Sequence, residues 1–150
     1  MSSEKIEAVL IFEILGKPAE HLVETLEDII RQIGEEKGVN IKEKKINEPN
    51  EAGKEGLYTT FAEIIAEFNE LMGLLIVLFK YMPAHVQIIS PEKVSLKNNY
   101  INDILNELAR RLHAYDEVAR VIQLEKSVLE TKLKDVLGKK EEKAEENEED

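Results

Sequence analysis

The fold turns on Ile6-Glu7-Ala8-Val9-Leu10-Ile11-Phe12-Glu13-Ile14, broken soon afterwards by Gly16-Lys17-Pro18. Ile6, Ala8, Leu10, Phe12 and Ile14 alternate with Glu7, Val9, Ile11 and Glu13. A period of two is that of a β-strand. Apolar groups fall on both faces, which places the strand in the interior of a sheet. Pro18, with its fixed φ, suits the first turn of a helix.

A helix is the natural continuation. Leu22, Val23, Leu26, Ile29, Ile30 and Ile33 recur at helical spacing, while Glu20, Glu24, Glu27 and Asp28 point elsewhere. This is an amphipathic helix with one buried stripe, ended by Gly34 or Gly38. Residues 39–46 read as a weaker strand, and Lys42, Lys44 and Lys45 protect it as a sheet edge. Residues 47–56 form a polar loop rich in turn formers. Residues 57–68 are a third strand. Tyr58, Thr60, Ala62, Ile64, Ala66 and Phe68 share one face; Phe61, Glu63, Ile65 and Glu67 share the other. Asn69 is placed to cap a helix over 70–81, Pro83 stops it, and residues 84–89 form a fourth strand. Residues 100–137 carry apolar groups every three or four positions, from Ile101 through Leu105, Leu108, Leu112, Tyr115, Val118 and Ile122 to Leu129, and no Gly or Pro interrupts them.

The element order β-α-β-β-α-β resembles the ferredoxin-like fold over roughly residues 5–90, a likeness of topology alone. It implies an α+β chain: a four-stranded antiparallel sheet with two helices on one face, followed by a long C-terminal helix. The expected segments are a ferredoxin-like α+β domain (1–97), a helical extension (98–137) and an unstructured acidic tail (138–150). The tail holds seven acids against three lysines, and no apolar residue larger than Ala144. It has too little apolar surface to offset chain entropy by burial.

Composition narrows the function classes. The chain has 150 residues, 31 acidic and 20 basic side chains, a net charge of -11 and no cysteine. Disulfide scaffolds, cysteine-ligated zinc and cysteine nucleophiles are excluded. The negative charge argues against a nucleic-acid binder, which needs clustered Lys and Arg. The longest apolar run covers 71–79, far short of the roughly 20 residues that span a membrane, and no secretory signal is legible. A cytoplasmic protein is expected. Abundant Glu and Lys without Cys or Trp resembles the composition of heat-adapted proteins.

Two apolar surfaces exceed what one sheet and two helices need. The second face of the sheet presents Val9, Ile11, Phe61, Ile65 and Ile89. The 71–79 run is apolar nearly all round, so its helix requires burial on more than one side. Either the terminal helix covers these surfaces or a second copy does. The expected interface residues are Val9, Ile11, Phe61, Ile65, Met72, Leu75, Ile76 and Phe79, in a homo-oligomer whose simplest form is a twofold dimer.

Signals of chemistry are weaker. His21, His85 and His113 stand apart and match no metal-ligand spacing. No glycine spacing cradles phosphate, and no serine lies in a nucleophile elbow. Glu7, Glu13, Glu63 and Glu67 share one sheet face. Of these, Glu63 and Glu67 are the candidate metal ligands, against the alternative of salt bridges to Lys42, Lys44, Arg110, Arg111 or Arg120. Asn98-Asn99-Tyr100 reads as a helix cap. Three functions follow. The first is a non-enzymatic oligomerising protein-interaction module, whose further protein partner would meet the terminal helix or the acidic tail. Heptads that degrade at Glu125 and Lys132 argue against a long coiled coil there. The second is a small-molecule sensor resembling amino-acid-binding regulatory modules, with Lys17 and His85 contacting an anionic ligand. The third is a carboxylate-based metal protein or enzyme. No cofactor is implied.

Overall fold

A computed structural model describes residues 4–53 and 55–148, and of Glu148 only its backbone. The chain divides into two units, residues 1–105 and 106–150.

The first unit follows the order read from the sequence, with one addition. Strand β1 (Ile6–Gly16) leads to helix α1 (Ala19–Glu35), then β2 (Val39–Ile46), a two-residue β3 (Asn50–Glu51), β4 (Tyr58–Phe68), α2 (Leu71–Tyr81) and β5 (His85–Ser90). The strands form one antiparallel sheet in the order β2-β4-β1-β5, with β3 paired to β4. β1 lies between β4 and β5, the interior placement expected from the apolar groups on both of its faces.

The sheet has five strands where four were expected. The polar loop folds back because Asn50 pairs with Thr59 and Glu51 with Tyr58. The Ala52 amide donates to the Leu57 carbonyl at 2.9 Å, and Gly53 and Gly56 adopt φ of 74° and 78°. Those left-handed backbones cost glycine nothing. The buried Thr60 hydroxyl donates to the Asn47 carbonyl at 2.7 Å, fastening the loop's start.

The core collects one face of every central element. Ile6, Ala8, Leu10 and Phe12 of β1 meet Ala62, Ile64, Ala66 and Phe68 of β4, with Leu26, Ile30 and Ile33 of α1 and Leu74 and Val77 of α2. These are the inward positions of the period-two strands and the 3.6-period stripe of α1. Each large side chain buried this way contributes about 1.5–3 kcal/mol.

Helix α2 begins at Leu71, not beside an Asn69 cap. Glu70 stands at its N-cap without a side-chain hydrogen bond. The Asn69 amide instead donates to the Gly38 carbonyl at 2.9 Å. The free Met72 amide donates to the Tyr100 hydroxyl at 2.8 Å. At the other end Met82 adopts φ 50° and its amide returns to the Leu78 carbonyl at 3.0 Å.

The last helix, α3, runs from Asn98 to Glu148. It starts in the first unit; its residues 106–148 make the second, about 64 Å of helix at 1.5 Å per residue. It does not stop at Leu137, so the segment expected to be unstructured is helical through Glu148. Glu, Lys and Ala are strong helix formers and need no burial to adopt the state. The Asn147 side-chain amide donates to the Lys143 carbonyl at 2.7 Å. Residues 149 and 150 lie outside the described residues.

Candidate interaction surfaces

The second face of the sheet is a mixed apolar and ionic surface. Val9 lies directly across from Ile65, and Phe61 across from Glu13. Val9, Ile11 and Ile65 are half-buried, and Phe61 is 37% exposed. Ile89 is the extra residue where β5 shifts register against Glu7 and Ala8, and it is exposed.

An ion-pair cluster borders these groups. A register shift between Ile41 and Glu43 leaves Lys42 as the additional residue of β2. Such a bulge re-aims a side chain. The Lys42 ammonium donates to Glu7 and lies 3.3 Å from Glu67, which also accepts from Lys5 at 3.1 Å. The hydrogen bond from Lys5, then that from Lys42, holds the Glu67 carboxyl below the usual carboxylate range. Hydrogen bonding to Glu7 and Glu67 pushes the Lys42 ammonium up.

Of the two candidate metal ligands, Glu67 is therefore engaged by two lysines. Glu63 is exposed and paired in register with Ile11 and Lys45. Among the described residues no three His, Asp or Glu converge as a metal-holding group. The arginines weighed as partners for this face have ion-pair partners within α3. Arg110 and Arg111 reach Glu107 at 2.5 and 2.6 Å, and Arg120 reaches Asp116 at 2.9 Å.

Lys17 and His85 are not brought together. His85 pairs in register with Ile11, whereas Lys17 follows Gly16 at the far end of the same strand. Six residues of extended chain put them about 20 Å apart along the sheet.

Helix α2 has two apolar faces. Leu74 and Val77 enter the core, and Leu71, Leu78 and Tyr81 pack against it. Met72, Leu75, Ile76 and Phe79 follow the other i, i+3, i+4, i+7 row and are half-buried. At its C-terminal end Glu36 accepts from Lys80 at 2.5 Å and from the Tyr81 hydroxyl at 2.7 Å. The bond from Lys80, then that from Tyr81, lowers the Glu36 carboxyl. At its N-terminal end lies a cavity of about 620 Å³, lined among others by Asn69, Leu71, Val94, Asn99, Tyr100 and Asp103. Sequence reasoning missed this cavity. The Asn98-Asn99-Tyr100 cluster was its one signal, and it read as a cap for its own helix.

Most of the exposed large hydrophobic residues among those described belong to α3. Leu112, Tyr115, Val118, Ile122, Leu129, Leu133 and Val136 are all exposed, most of them by more than half. From Leu112 to Asn147 every residue but Gly138 is exposed. Soluble surfaces rarely carry an apolar stripe of that extent unless something binds it. No helix among the described residues is long and apolar enough to cross a membrane.

No curated protein and no solved structure matches the sequence. One family model does, over residues 7–149, from the first strand to the end of the last helix. The chain belongs to the MJ0538 family.

Proposed function

We propose that this protein is a homo-oligomerising interaction module, not a catalyst, working in the cytoplasm through its long C-terminal helix. One observation carries the reading. Residues of α3 beyond Arg111 present a series of large apolar side chains that are exposed among the described residues. The half-buried row Met72, Leu75, Ile76 and Phe79, and the sheet face around Val9, Ile11, Phe61 and Ile65, are secondary contact surfaces in the same reading. The strand order β2-β4-β1-β5, with side chains of α1 and α2 in one core cluster, supports a ferredoxin-like arrangement as the platform. That platform hosts many unrelated functions and decides none of them. Native mass spectrometry of the full chain tests the proposal. Two or more chains per particle are expected at micromolar concentration; a bare monomer refutes it.

A second reading, small-molecule binding, is favoured by the cavity at the start of α2. Its volume lies within the range of small-ligand sites, and it joins apolar Leu71 and Val94 to polar Asn69, Asn99 and Asp103. In this reading the sensor site lies at that cavity and not at Lys17 and His85. Thermal stabilisation by any member of a metabolite panel, lost on Val94→Trp, would support it; a flat panel would count against it.

A further inference from the structure

Building on the oligomerising role, we infer that the occupant of the α3 stripe is the α3 of a second copy, and that the two helices run antiparallel.

Counting in sevens from Ile101 gives Leu108, Tyr115, Ile122, Leu129 and Val136, an unbroken apolar series. In a two-helix seam these are one of the two core positions of the heptad. The other core series is Leu105, Leu112, Ala119, Lys126 and Leu133. Glu125 and Lys132, which look like breaks in the sequence, fall in this frame at flanking positions. The interruption inside the seam is Lys126.

Lys126 and its neighbours discriminate between orientations. In a parallel pair, like core positions meet, so Lys126 faces Lys126 of the second copy across the seam. Glu125 then flanks Glu130 of the second copy. Only Arg111 opposite Asp116 offers attraction. In an antiparallel pair the two core series meet each other. The register that sets Leu112 against Ile122 of the second copy also sets Tyr115 against Ala119 and Leu108 against Lys126. Each contact occurs twice by symmetry. The lysine stem lies along a leucine and its ammonium reaches solvent. Arg111 then flanks Glu125 of the second copy, again twice. The one like-charge meeting is Asp116 with its own copy, and each Asp116 is already held by Arg120 at 2.9 Å. Arg111, whose Nε lies 2.6 Å from Glu107, bridges two carboxylates in this arrangement. Val121, Leu124 and Val128 fall outside the seam and take no part in it.

The chain has no cysteine, so engineered thiols report without background. A disulfide requires Cα atoms within roughly 4.4–6.8 Å. Leu112→Cys and Ile122→Cys replace residues 54% and 59% exposed, so the fold does not depend on them. Each full-length variant is oxidised alone and as an equimolar mixture, with chain mass followed by sedimentation. The expected result is a covalent dimer in the mixture and almost none in either variant alone. Efficient self-crosslinking of either variant shows parallel helices and overturns the inference. Crosslinking of Leu112→Cys with Leu129→Cys in preference to Ile122→Cys shows another register and overturns the alignment proposed. An oligomer by mass with no disulfide in any combination means the copies meet elsewhere, which overturns the pairing of α3 but not the oligomeric role. A monomeric wild-type chain overturns that role itself.

Discussion

Tyr100→Phe isolates a single hydrogen bond that the fold uses in an unusual way. Helix α2 lacks a capping side chain, and its Met72 amide donates to the Tyr100 hydroxyl at 2.8 Å. Phenylalanine keeps the ring and its packing and removes only the acceptor. The lost bond is worth about 0.5–1.5 kcal/mol, and an amide left unpaired in a half-buried site costs about 1–3 kcal/mol. Water entering the adjacent cavity re-solvates part of it, so the low end of that range is expected, about 1–1.5 kcal/mol. Urea unfolding followed by circular dichroism reads the change. With a slope near 2 kcal/mol/M, the midpoint moves down by about 0.5–0.8 M while the slope stays constant. Protomer concentration must be fixed, because association adds its own stability. A midpoint within about 0.1 M of wild type would refute the view that Tyr100 caps α2.

Acid should weaken the first unit through Glu36 and Glu67. Both carboxyls are held below their ordinary value of 4.5, Glu36 first by Lys80 and Glu67 first by Lys5. Their unfolded forms therefore take protons first as pH falls, and the stabilisation present above pH 4.5 is lost on acidification. Thermal scans of Glu36→Gln/Glu67→Gln should show a shallower decline from pH 5 to pH 3 than wild type; parallel curves would count against these ion pairs. Met82 is a non-glycine residue at φ 50° and 64% exposed. Met82→Gly relieves a left-handed backbone that costs an ordinary residue about 1–2 kcal/mol, so a gain of about 0.5–1 kcal/mol in urea is expected after the entropy of glycine. Gly38→Ala should do the reverse, losing about 1–3 kcal/mol, since φ is 77° and a Cβ there would meet the Asn69 side chain at 3.3 Å. Leu26→Ala empties a site with no exposure in the core and should cost about 2–5 kcal/mol.

The sequence carries the sheet and helices plainly where burial is one-sided. The alternation of Ile6 through Ile14 marks β1, and the stripe Leu22 to Ile33 marks α1, because period and burial coincide. It hides features that depend on contacts between distant segments. Nothing local in Asn50-Glu51 announces a strand; its partner Tyr58-Thr59 and the turn at Gly53 and Gly56 create it. Asn69 has the chemistry of a cap, but its backbone is held by Gly38, and a tyrosine 28 residues downstream from Met72 does the capping. Lys42 was legible as an edge lysine, while the bulge that brings it to Glu7 and Glu67 was not. The tail misled because its composition says only that it cannot be buried. A helix made of Glu, Lys and Ala needs no burial. Surplus apolar surface on α2 and on the sheet was visible in the sequence. The heptad frame of α3 emerged once its continuity was known.

Sedimentation equilibrium of the full-length wild-type chain beside Ile122→Glu tests the central claim most directly. Ile122 is 59% exposed, so a charge there leaves the fold of the first unit intact and strikes only what covers the helix. Wild type is expected to run at two or more chain masses at tens of micromolar protomer, and Ile122→Glu at one. A monomeric wild type, or a variant whose assembly is unchanged, would contradict the assignment of α3 as the assembling surface.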